Sequence, residues 1–421
     1  MGPGPGWSSL HLTNISSAWV KLLAIEDWIF KERNLRICGI GVAWVWFVSV
    51  GRESIGENSR LHSMDFCWMW VSGKLAASSY PSLVYSPAGF TDALRTLLGT
   101  DQCHFVHFSY PPTILFLTYP FGLLPYIPAF LVWMVATLAL YLAAVYTIIP
   151  RPTTVIAALT PLAVPVNVLL GHNGFLTAGL IGWSLIVLER RPWLCGIVVG
   201  LLSYKPHFGV LFPFVFLASR NWRVLASAAA MSTLLGVAAG VGFGYQGWQS
   251  FIDLLHERNP TLSTDGVILT QQSVYGLLDW AGATIWFSWT VHLTVALLIT
   301  IWICVVWASR VPQNLKASIL CVGVVTVTPY ALQYDLCILS IAVALFVKDG
   351  LSSGFLPGER TAVLICLAAL LLWFAEIRIG PVVYGVLLLL IARRIAVYPS
   401  RELTERKDDA ALDAAPIPET L

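Results

Sequence analysis

Ionisable and amide side chains interrupt the apolar sequence at a few points, most of them beside a proline or a glycine. A charged group at bilayer depth costs roughly 2.5–3.5 kcal/mol on insertion, so such a residue in a membrane protein is a functional candidate by default. The candidates are Asp65 in DFCWMW, Tyr110 in FSYPP, His172 and Asn173 in GHNG, Lys205 and His207 in SYKPHF, and Gln333, Tyr334 and Asp335 in PYALQYD. We expect these side chains to form one site at one face of the membrane.

Two of the candidates have the side chains that sugar transfer from a lipid phosphate requires. Asp65 is predicted to accept the proton of the acceptor hydroxyl as a general base, a contribution worth about 10²–10⁴-fold in rate. Lys205 is predicted to offset the charge that develops on the departing phosphate, an effect that a low dielectric strengthens. The other candidates are assigned to substrate binding, and none is expected to bind a metal.

Structural interpretations of the same residues stay open at this stage. Asp65 also suits the N-cap of a helix, a position that aspartate favours. Lys205 could extend its ammonium group to the lipid headgroups, and Asp335 could neutralise Lys205 as a purely structural pair. His172 and Asn173 also suit a turn that joins two helices.

The sequence shows little sign of nucleotide or metal binding. Neither GxxxxGK[ST] nor GxGxxG occurs, so neither a nucleotide-sugar donor nor ATP is expected. His104 and His107 have HxxH spacing, but no carboxylate in fixed register accompanies them, so no metal site is expected. Cys67 and Cys103 share one polar loop and could pair if that loop faces an oxidising compartment.

The composition is that of a polytopic membrane protein. Of the 421 residues, 57% are hydrophobic and 11% are charged, and the mean hydropathy is +0.74. Soluble domains contain about 25% charged residues, and disorder requires low hydrophobicity, so both classes are excluded. A formal net charge of +2 gives no basic surplus for nucleic acid. The apolar runs have helical rather than alternating character, which predicts an all-α transmembrane bundle of about 10–13 helices.

The basic residues predict the orientation of the bundle. The first span is expected at 35–51, and the lysine and arginines before it place residues 1–34 in the cytoplasm by the positive-inside rule. Residues 52–108 then form a large extracytoplasmic loop with amphipathic interfacial helices. The transmembrane domain is expected to extend over 35–398, followed by a disordered cytoplasmic tail at 399–421.

Further crossings follow from the apolar runs. Helices are expected at 110–124 and 126–149, and then near 175–189, 193–204, 207–219, 224–244, 286–308, 317–328, 333–347, 361–375 and 379–392. The stretch 153–170 contains Pro161 and Pro165, so we expect a re-entrant segment or a pair of half-helices there. The alternative is that one of the segments in this region does not cross the membrane fully.

The order of these motifs resembles that of glycosyltransferase family 87. The motifs are, in order, Asp65–Phe66, GKLAASSYPSLVYSP, FSYPP, GHN, GLLSYKP and TPYALQYD. The resemblance covers about residues 35–390. The family comprises polytopic C-type enzymes that use polyprenyl-phosphate sugars and includes mannosyltransferases that extend phosphatidylinositol mannosides. The resemblance implies a periplasmic pocket and an inverting single displacement, with Asp65 as the base and Lys205 facing the donor phosphate.

The sequence departs from the family pattern at two places that concern the substrates. His172 stands where the family usually has glutamine. The segment after Pro329 has Tyr330, Gln333 and Tyr334 where some members have a histidine. These differences concern residues expected to contact the sugar, the acceptor and the donor phosphate. They do not concern Asp65, the expected base.

The function expected from the sequence is transfer of a mannose-like hexose from a polyprenyl-phosphate donor to a lipid or glycan hydroxyl. The enzyme is expected in the bacterial inner membrane, among membrane lipids, with both termini cytoplasmic and the active site periplasmic. No cofactor, nucleotide or nucleic acid is expected. One alternative is a secondary transporter that couples ions through Lys205 and Asp335, although the two halves of the chain do not look alike. The other is a non-catalytic subunit of lipid-linked glycan assembly, which would tolerate replacement of Asp65.

Overall fold

The computed structural model describes residues 31–55, 65–99, 103, 108–257, 271–371 and 377–413, with the backbone alone at 50–55, 257 and 399–413. Within these ranges the chain is helical, and its one β-bridge joins Gln271 to Leu332. The helices are α1 (Glu32–Ile55), α2 (Phe66–Ala76), α3 (Pro87–Leu98), α4 (Leu115–Gly122), α5 (Tyr126–Ile148), α6 (Pro152–Ala158), α7 (Ala163–Leu170), α8 (Gly174–Val187), α9 (Pro192–Leu201), α10 (Pro206–Gly209), α11 (Leu211–Ala218), α12 (Trp222–Gly242), α13 (Tyr245–Glu257), α14 (Val274–Trp280), α15 (Ile285–Ala308), α16 (Gln313–Val327), α17 (Cys337–Ser353), α18 (Glu359–Ala369) and α19 (Gly380–Asp413).

The apolar helices confirm an all-α polytopic membrane protein. Among the described residues, five helical segments are long and apolar enough to span a bilayer: α5, α12, α15, Gln333–Ser353 and Gly380–Tyr398. Four shorter apolar helices lie at Gly174–Val187, Pro192–Tyr204, Pro206–Ala218 and Gln313–Val327, where further crossings were expected. Fewer helices reach full spanning length than the expected 10–13, because proline and polar segments divide several apolar runs into shorter helices.

The expected interruption of residues 153–170 is confirmed, at one of its two prolines. α6 and α7 are bent by 65° relative to each other, and Pro161 lies in the connection between them. Pro165 does not break the helix. It lies in the first turn of α7, where a proline is tolerated because its missing N–H would have no intrahelical partner.

Gly171 brings the first loop against the end of α7. It ends that helix with φ of +66°, a conformation that glycine adopts readily. A Cβ atom at this position would lie 2.5 Å from the Phe66 side chain, so glycine also allows the close approach. Trp133 of α5 donates a hydrogen bond to the Gly171 carbonyl at 3.1 Å. Because Phe66 packs on Gly171, the preceding Asp65 and the following His172 become neighbours.

The helices of the first loop differ in their exposure. α3 is amphipathic, with Phe90 and Leu94 buried. α2 is instead buried on almost all sides, because Gly73 lets its backbone cross that of α4 closely at Gly122. A disulfide joins Cys67 of α2 to Cys103.

The last helix extends beyond the expected end of the domain. α19 continues to Asp413, so the backbone of residues 399–413 is helical where a disordered tail was expected. Arg394 of this helix is buried and bonds Asp349 at 2.6 Å and Glu359 at 2.5 Å. This ion network joins α17, α18 and α19.

Candidate active site

Three interruptions between helices meet in space and form the frame of the site. They are residues 171–173 between α7 and α8, 202–205 between α9 and α10, and 328–336 between α16 and α17. Asn167 of α7 connects two of them, because its amide nitrogen donates to the Tyr334 carbonyl at 2.7 Å and its oxygen accepts from Gly174 N–H at 3.0 Å. Bonds of this kind are needed because unsatisfied backbone groups are costly away from water.

Lys205 and Asp335 form a buried ion pair across these interruptions. Lys205 Nζ lies 2.6 Å from Asp335 Oδ1, with the residues 3% and 0% exposed. The other carboxylate oxygen of Asp335 accepts from Leu332 N–H at 3.2 Å. Lys205 Nζ also lies 4.8 Å from the ring centre of Phe208 and 5.0 Å from that of Tyr334. At this depth Lys205 is an ion-pair partner and does not extend to the headgroups.

Asn173 links this ion pair to the segment that follows the first loop. Its side-chain oxygen accepts from Lys205 Nζ at 3.0 Å, and its amide nitrogen donates to the Tyr110 hydroxyl at 2.8 Å. The Tyr85 hydroxyl in turn donates to the Tyr110 carbonyl at 3.1 Å. Asn173 and Tyr110 therefore belong to the same hydrogen-bonded cluster as Lys205, and Tyr85 positions Tyr110.

His172 lies between this cluster and Asp65. Its ring stacks on Tyr334 with the centres 3.6 Å apart. Its Nε2 atom lies 3.4 Å from the Tyr110 hydroxyl and 3.9 Å from Asp65 Oδ2. Its Nδ1 atom faces Asn173, 2.9 Å from the backbone nitrogen and 3.1 Å from the side-chain oxygen. Contacts through His172 and Asn173 thus place Asp65 and Lys205 in one polar site.

The environment of Asp65 suits proton transfer. Asp65 occupies the N-cap position of α2, but its side chain makes no capping hydrogen bond. A quarter of the side chain remains accessible, at 25%. The carboxyl group is nevertheless buried enough for desolvation to raise its pKa to about 7. Close to half of these groups are therefore ionised at neutral pH, as a general base requires.

The described contacts do not hydrogen-bond His207 or Gln333 into this cluster. His207 packs against Phe208, with ring centres 4.6 Å apart, and its Nε2 atom is buried without a partner in the described part of the chain. Gln333 is 1% exposed, and neither atom of its amide has a partner among the described residues. Both residues therefore have polar atoms near the ion pair that could still hydrogen-bond a ligand.

Sequence reasoning missed the residues that support the cluster from outside. Asn167 has a recognisable signal, since it is an amide inside an otherwise apolar half-helix. Gln272 has none: its backbone N–H donates to the Ala331 carbonyl, and its side-chain oxygen accepts from Gly380 N–H at 3.0 Å. These long-range contacts hold the 328–336 segment in place.

The described residues contain no group of three or more His, Cys, Asp or Glu side chains that could hold a metal ion. The HxxH pair, His104 and His107, lies outside the described ranges. The cluster offers instead a partly exposed carboxylate, a compensated ammonium group and aromatic faces. That set can exchange a proton with a hydroxyl and can hydrogen-bond an anionic, sugar-bearing group.

Comparison with known proteins gives a family and two partial relatives. The sequence profile described as glycosyltransferase family 87 matches residues 108–332, more than half of the chain. The matched range includes Tyr110, His172, Asn173, Lys205 and His207, and it excludes Asp65, Gln333, Tyr334 and Asp335.

Two curated relatives are named alpha-(1->3)-arabinofuranosyltransferase, from Mycobacterium tuberculosis strains CDC 1551 / Oshkosh and ATCC 25618 / H37Rv. Each is 30% identical to this chain over 148 residues. The alignment covers 32% of this chain and 34% of each relative, so it spans about a third of their length. No solved structure shows significant similarity.

Replacing either partner of the buried pair is expected to destabilise the fold. Lys205→Met leaves the Asp335 carboxylate buried without its counter-ion, and Asp335→Asn does the same to the ammonium group, each costing about 3–5 kcal/mol. The double variant should lose less than the sum of the two, by about 0.5–3 kcal/mol, because neither charge remains. Thermal unfolding of the purified protein in detergent measures all three.

The matched control is Lys348→Met, which removes an exposed lysine from α17 and should change stability by no more than about 0.5 kcal/mol. Simple additivity of the two single effects would show that Lys205 and Asp335 do not stabilise each other.

Proposed function

The chain belongs to glycosyltransferase family 87, and on this premise we propose that it transfers a sugar from a polyprenyl-phosphate donor to a lipid or glycan hydroxyl. The main supporting observation is the position of Asp65. Its carboxyl group is partly accessible, makes no capping bond, has a raised pKa and lies 3.9 Å from a histidine of the family-matched region. A purely structural N-cap would not need this arrangement.

In the proposed reaction Asp65 is the general base. The acceptor hydroxyl gives its proton to an Asp65 oxygen while the acceptor oxygen bonds to the anomeric carbon of the donor sugar. The bond between that carbon and the phosphate oxygen breaks, and the phosphate leaves with the bonding electron pair. A single displacement of this kind inverts the anomeric configuration and leaves Asp65 protonated until the proton is released to water.

Lys205 is proposed to contact the donor phosphate with the proton that the described contacts leave unused. An ammonium group has three N–H donors, and two of them point to Asp335 and Asn173. The charge of Lys205 is compensated by Asp335 before substrate binds, so an arriving phosphate would share the ammonium group with that carboxylate. In a site with little water this contact would favour the departing phosphate.

The remaining cluster residues are proposed to position the substrates. Tyr110 and His172 lie beside Asp65 and would orient the acceptor hydroxyl through hydrogen bonds. Tyr334, stacked on His172, would hold that ring in place, and the unused polar atoms of His207 and Gln333 would bind sugar hydroxyls. A polar group that is buried without a partner gains most from such a bond.

The compartment is proposed to be the periplasmic side of a bacterial inner membrane, with both termini in the cytoplasm. The basic residues before the first span support this orientation through the positive-inside rule. The disulfide between Cys67 and Cys103 supports it independently, since disulfides persist in oxidising compartments. Asp65 precedes Cys67 by two residues and belongs to the same side.

For the transferred sugar two candidates are specific enough to test. A mannose-like hexose is the sugar that the motif resemblance suggests. Arabinofuranose is supported by the printed name of the two relatives that are 30% identical over 148 residues. The test uses purified enzyme in liposomes that contain extracted envelope lipids as acceptor. Sugar-labelled decaprenyl-phosphate mannose and decaprenyl-phosphate arabinofuranose are supplied in parallel, and the transferred sugar is the one whose label enters the acceptor.

The same liposomes separate the proposed enzyme from the two alternatives. An enzyme transfers label without any ion gradient, whereas a secondary transporter needs a gradient and leaves the label chemically unchanged. A non-catalytic assembly subunit would give no product with either donor.

Asp65→Asn is expected to lower the turnover number by about 10²–10⁴-fold, because an amide cannot accept the hydroxyl proton. The measurement is initial-rate transfer in liposomes, with thermal unfolding as the check on folding. Asp92→Asn is the matched control, since Asp92 is exposed on α3 in the same loop and should keep wild-type turnover. A well-folded Asp65→Asn enzyme with wild-type turnover would remove Asp65 as the base.

The pH dependence of kcat/KM should report the raised pKa of Asp65. The active, ionised carboxylate forms only as pH rises through about 7, so kcat/KM should fall about tenfold per pH unit below that value and level off above it. An ordinary aspartate, with a pKa of about 3.9, would give a flat profile down to about pH 5.

The control variant for this profile is His172→Asn, because histidine also titrates near neutral pH. The midpoint near 7 should persist in that variant, whatever its absolute rate. Loss of the midpoint would assign the titration to His172 instead.

A further inference from the structure

A second polar site lies at the far ends of two helices that lead away from the candidate active site. Residues Pro206–Ala218 start next to Lys205, and α16 ends next to the 328–336 segment. Thirteen helical residues measure about 20 Å, so the opposite ends of these helices lie about that far from the ion pair. A groove of about 570 Å³ opens there, between the 219–221 turn and the connection from α15 to α16.

The groove has the chemistry of an anion site. Its lining includes Arg220 and Lys316 together with the polar side chains of Ser219, Asn221 and Gln313, and no lining residue is acidic. No described residue pairs with the Arg220 guanidinium group. Among the described residues, Lys316 Nζ bonds the Ser309 carbonyl alone, at 2.5 Å, which leaves two of its three donors. The Gln313 amide nitrogen is buried without a partner in the described part of the chain.

The backbone adds donors at the same place. α12 begins at Trp222 and α16 begins at Gln313, and neither N-cap side chain bonds the first turn of its helix. Carbonyls of Arg220, Asn221 and Pro312 accept from the Trp222, Val224 and Leu315 N–H groups, respectively. Among the described residues, this leaves the Arg223 N–H of α12 and the Gln313 and Asn314 N–H groups of α16 without a backbone acceptor and open to an anion. Arg220 has φ of 56°, which is rare for a residue other than glycine, so the turn holds its guanidinium at the groove against a backbone cost.

The groove also borders the apolar surface of the bundle. Leu217 and Trp222 are exposed beside its first wall, and Val305 is exposed beside its second. Tryptophan favours the interface between headgroups and hydrocarbon. A molecule with a phosphate and two acyl chains could thus place its headgroup in the groove and its chains along these side chains, whereas a soluble anion would not use the apolar border.

We propose that this groove binds the phosphate headgroup of an anionic membrane phospholipid. Basic pockets between transmembrane helices are known to hold such headgroups. The site faces away from the proposed sugar-transfer centre and does not depend on it. Bound lipid would stabilise the junctions of α11 with α12 and of α15 with α16, and hence the helices that carry Lys205 and lead to Asp335.

The test is thermal unfolding of the purified full-length protein in detergent, titrated separately with dioleoylphosphatidylglycerol, dioleoylphosphatidylcholine and inorganic phosphate. Only the anionic lipid should raise the midpoint temperature. Arg220→Gln/Lys316→Gln should weaken its apparent affinity by about thirtyfold, and Lys316→Gln alone by about fivefold, the effect of one surface cation on anionic lipid. The single variant keeps the test valid if the double variant does not fold.

Arg190→Gln is the matched control, since it removes an exposed arginine from the connection between α8 and α9. It should keep wild-type affinity for the anionic lipid. Equal weakening by Arg190→Gln would reduce the effect to general surface charge and overturn the proposal. Equal stabilisation by inorganic phosphate would make the groove a site for soluble anions, and an unchanged affinity in Lys316→Gln would exclude the groove altogether.

Discussion

The buried contact between Lys205 and Asp335 is the interaction on which the rest of the site depends. A single charge buried at this place would be costly, and each of the two is tolerated because the other lies 2.6 Å away. The pair joins the interruption before α10 to the one before α17. Because Lys205 also bonds Asn173, the interruption before α8 is fixed to the same point. Three breaks in apolar helices thereby become one framework, with polar side chains satisfying the backbone that the breaks expose.

The same framework gives two carboxylates opposite properties. Asp335 is fully buried, is paired with a lysine and accepts a backbone hydrogen bond. Asp65 arrives from the first loop and keeps part of its surface accessible, and no described residue forms a comparable ion pair with it, so burial raises its pKa to about 7. Such a division, with one carboxylate held in an ion pair and another free to exchange a proton, is how enzymes obtain separate functions from one residue type. His172, stacked on Tyr334, is the contact between the two environments.

Much of this grouping could be predicted from the sequence, because polar residues beside prolines and glycines in apolar runs mark helix breaks. The sequence left open whether Lys205 reaches the headgroups; its 3% exposure and its pairing with Asp335 exclude that. Periodicity could not reveal Asn167, whose partner Tyr334 lies 167 residues away. Nor could it show that α2 is buried rather than interfacial, since that depends on where Gly73 meets another backbone.

The most direct measurement is a cryo-EM structure of the enzyme in lipid nanodiscs with a non-cleavable polyprenyl phosphonate analogue of the sugar donor. We expect a phosphonate oxygen within hydrogen-bonding distance of Lys205 Nζ, and the anomeric carbon open to attack from the side of Asp65. A phosphonate bound elsewhere, with Lys205 still contacting Asp335 and Asn173 alone, would contradict the proposed phosphate contact. An anomeric carbon remote from Asp65 would contradict its assignment as the base.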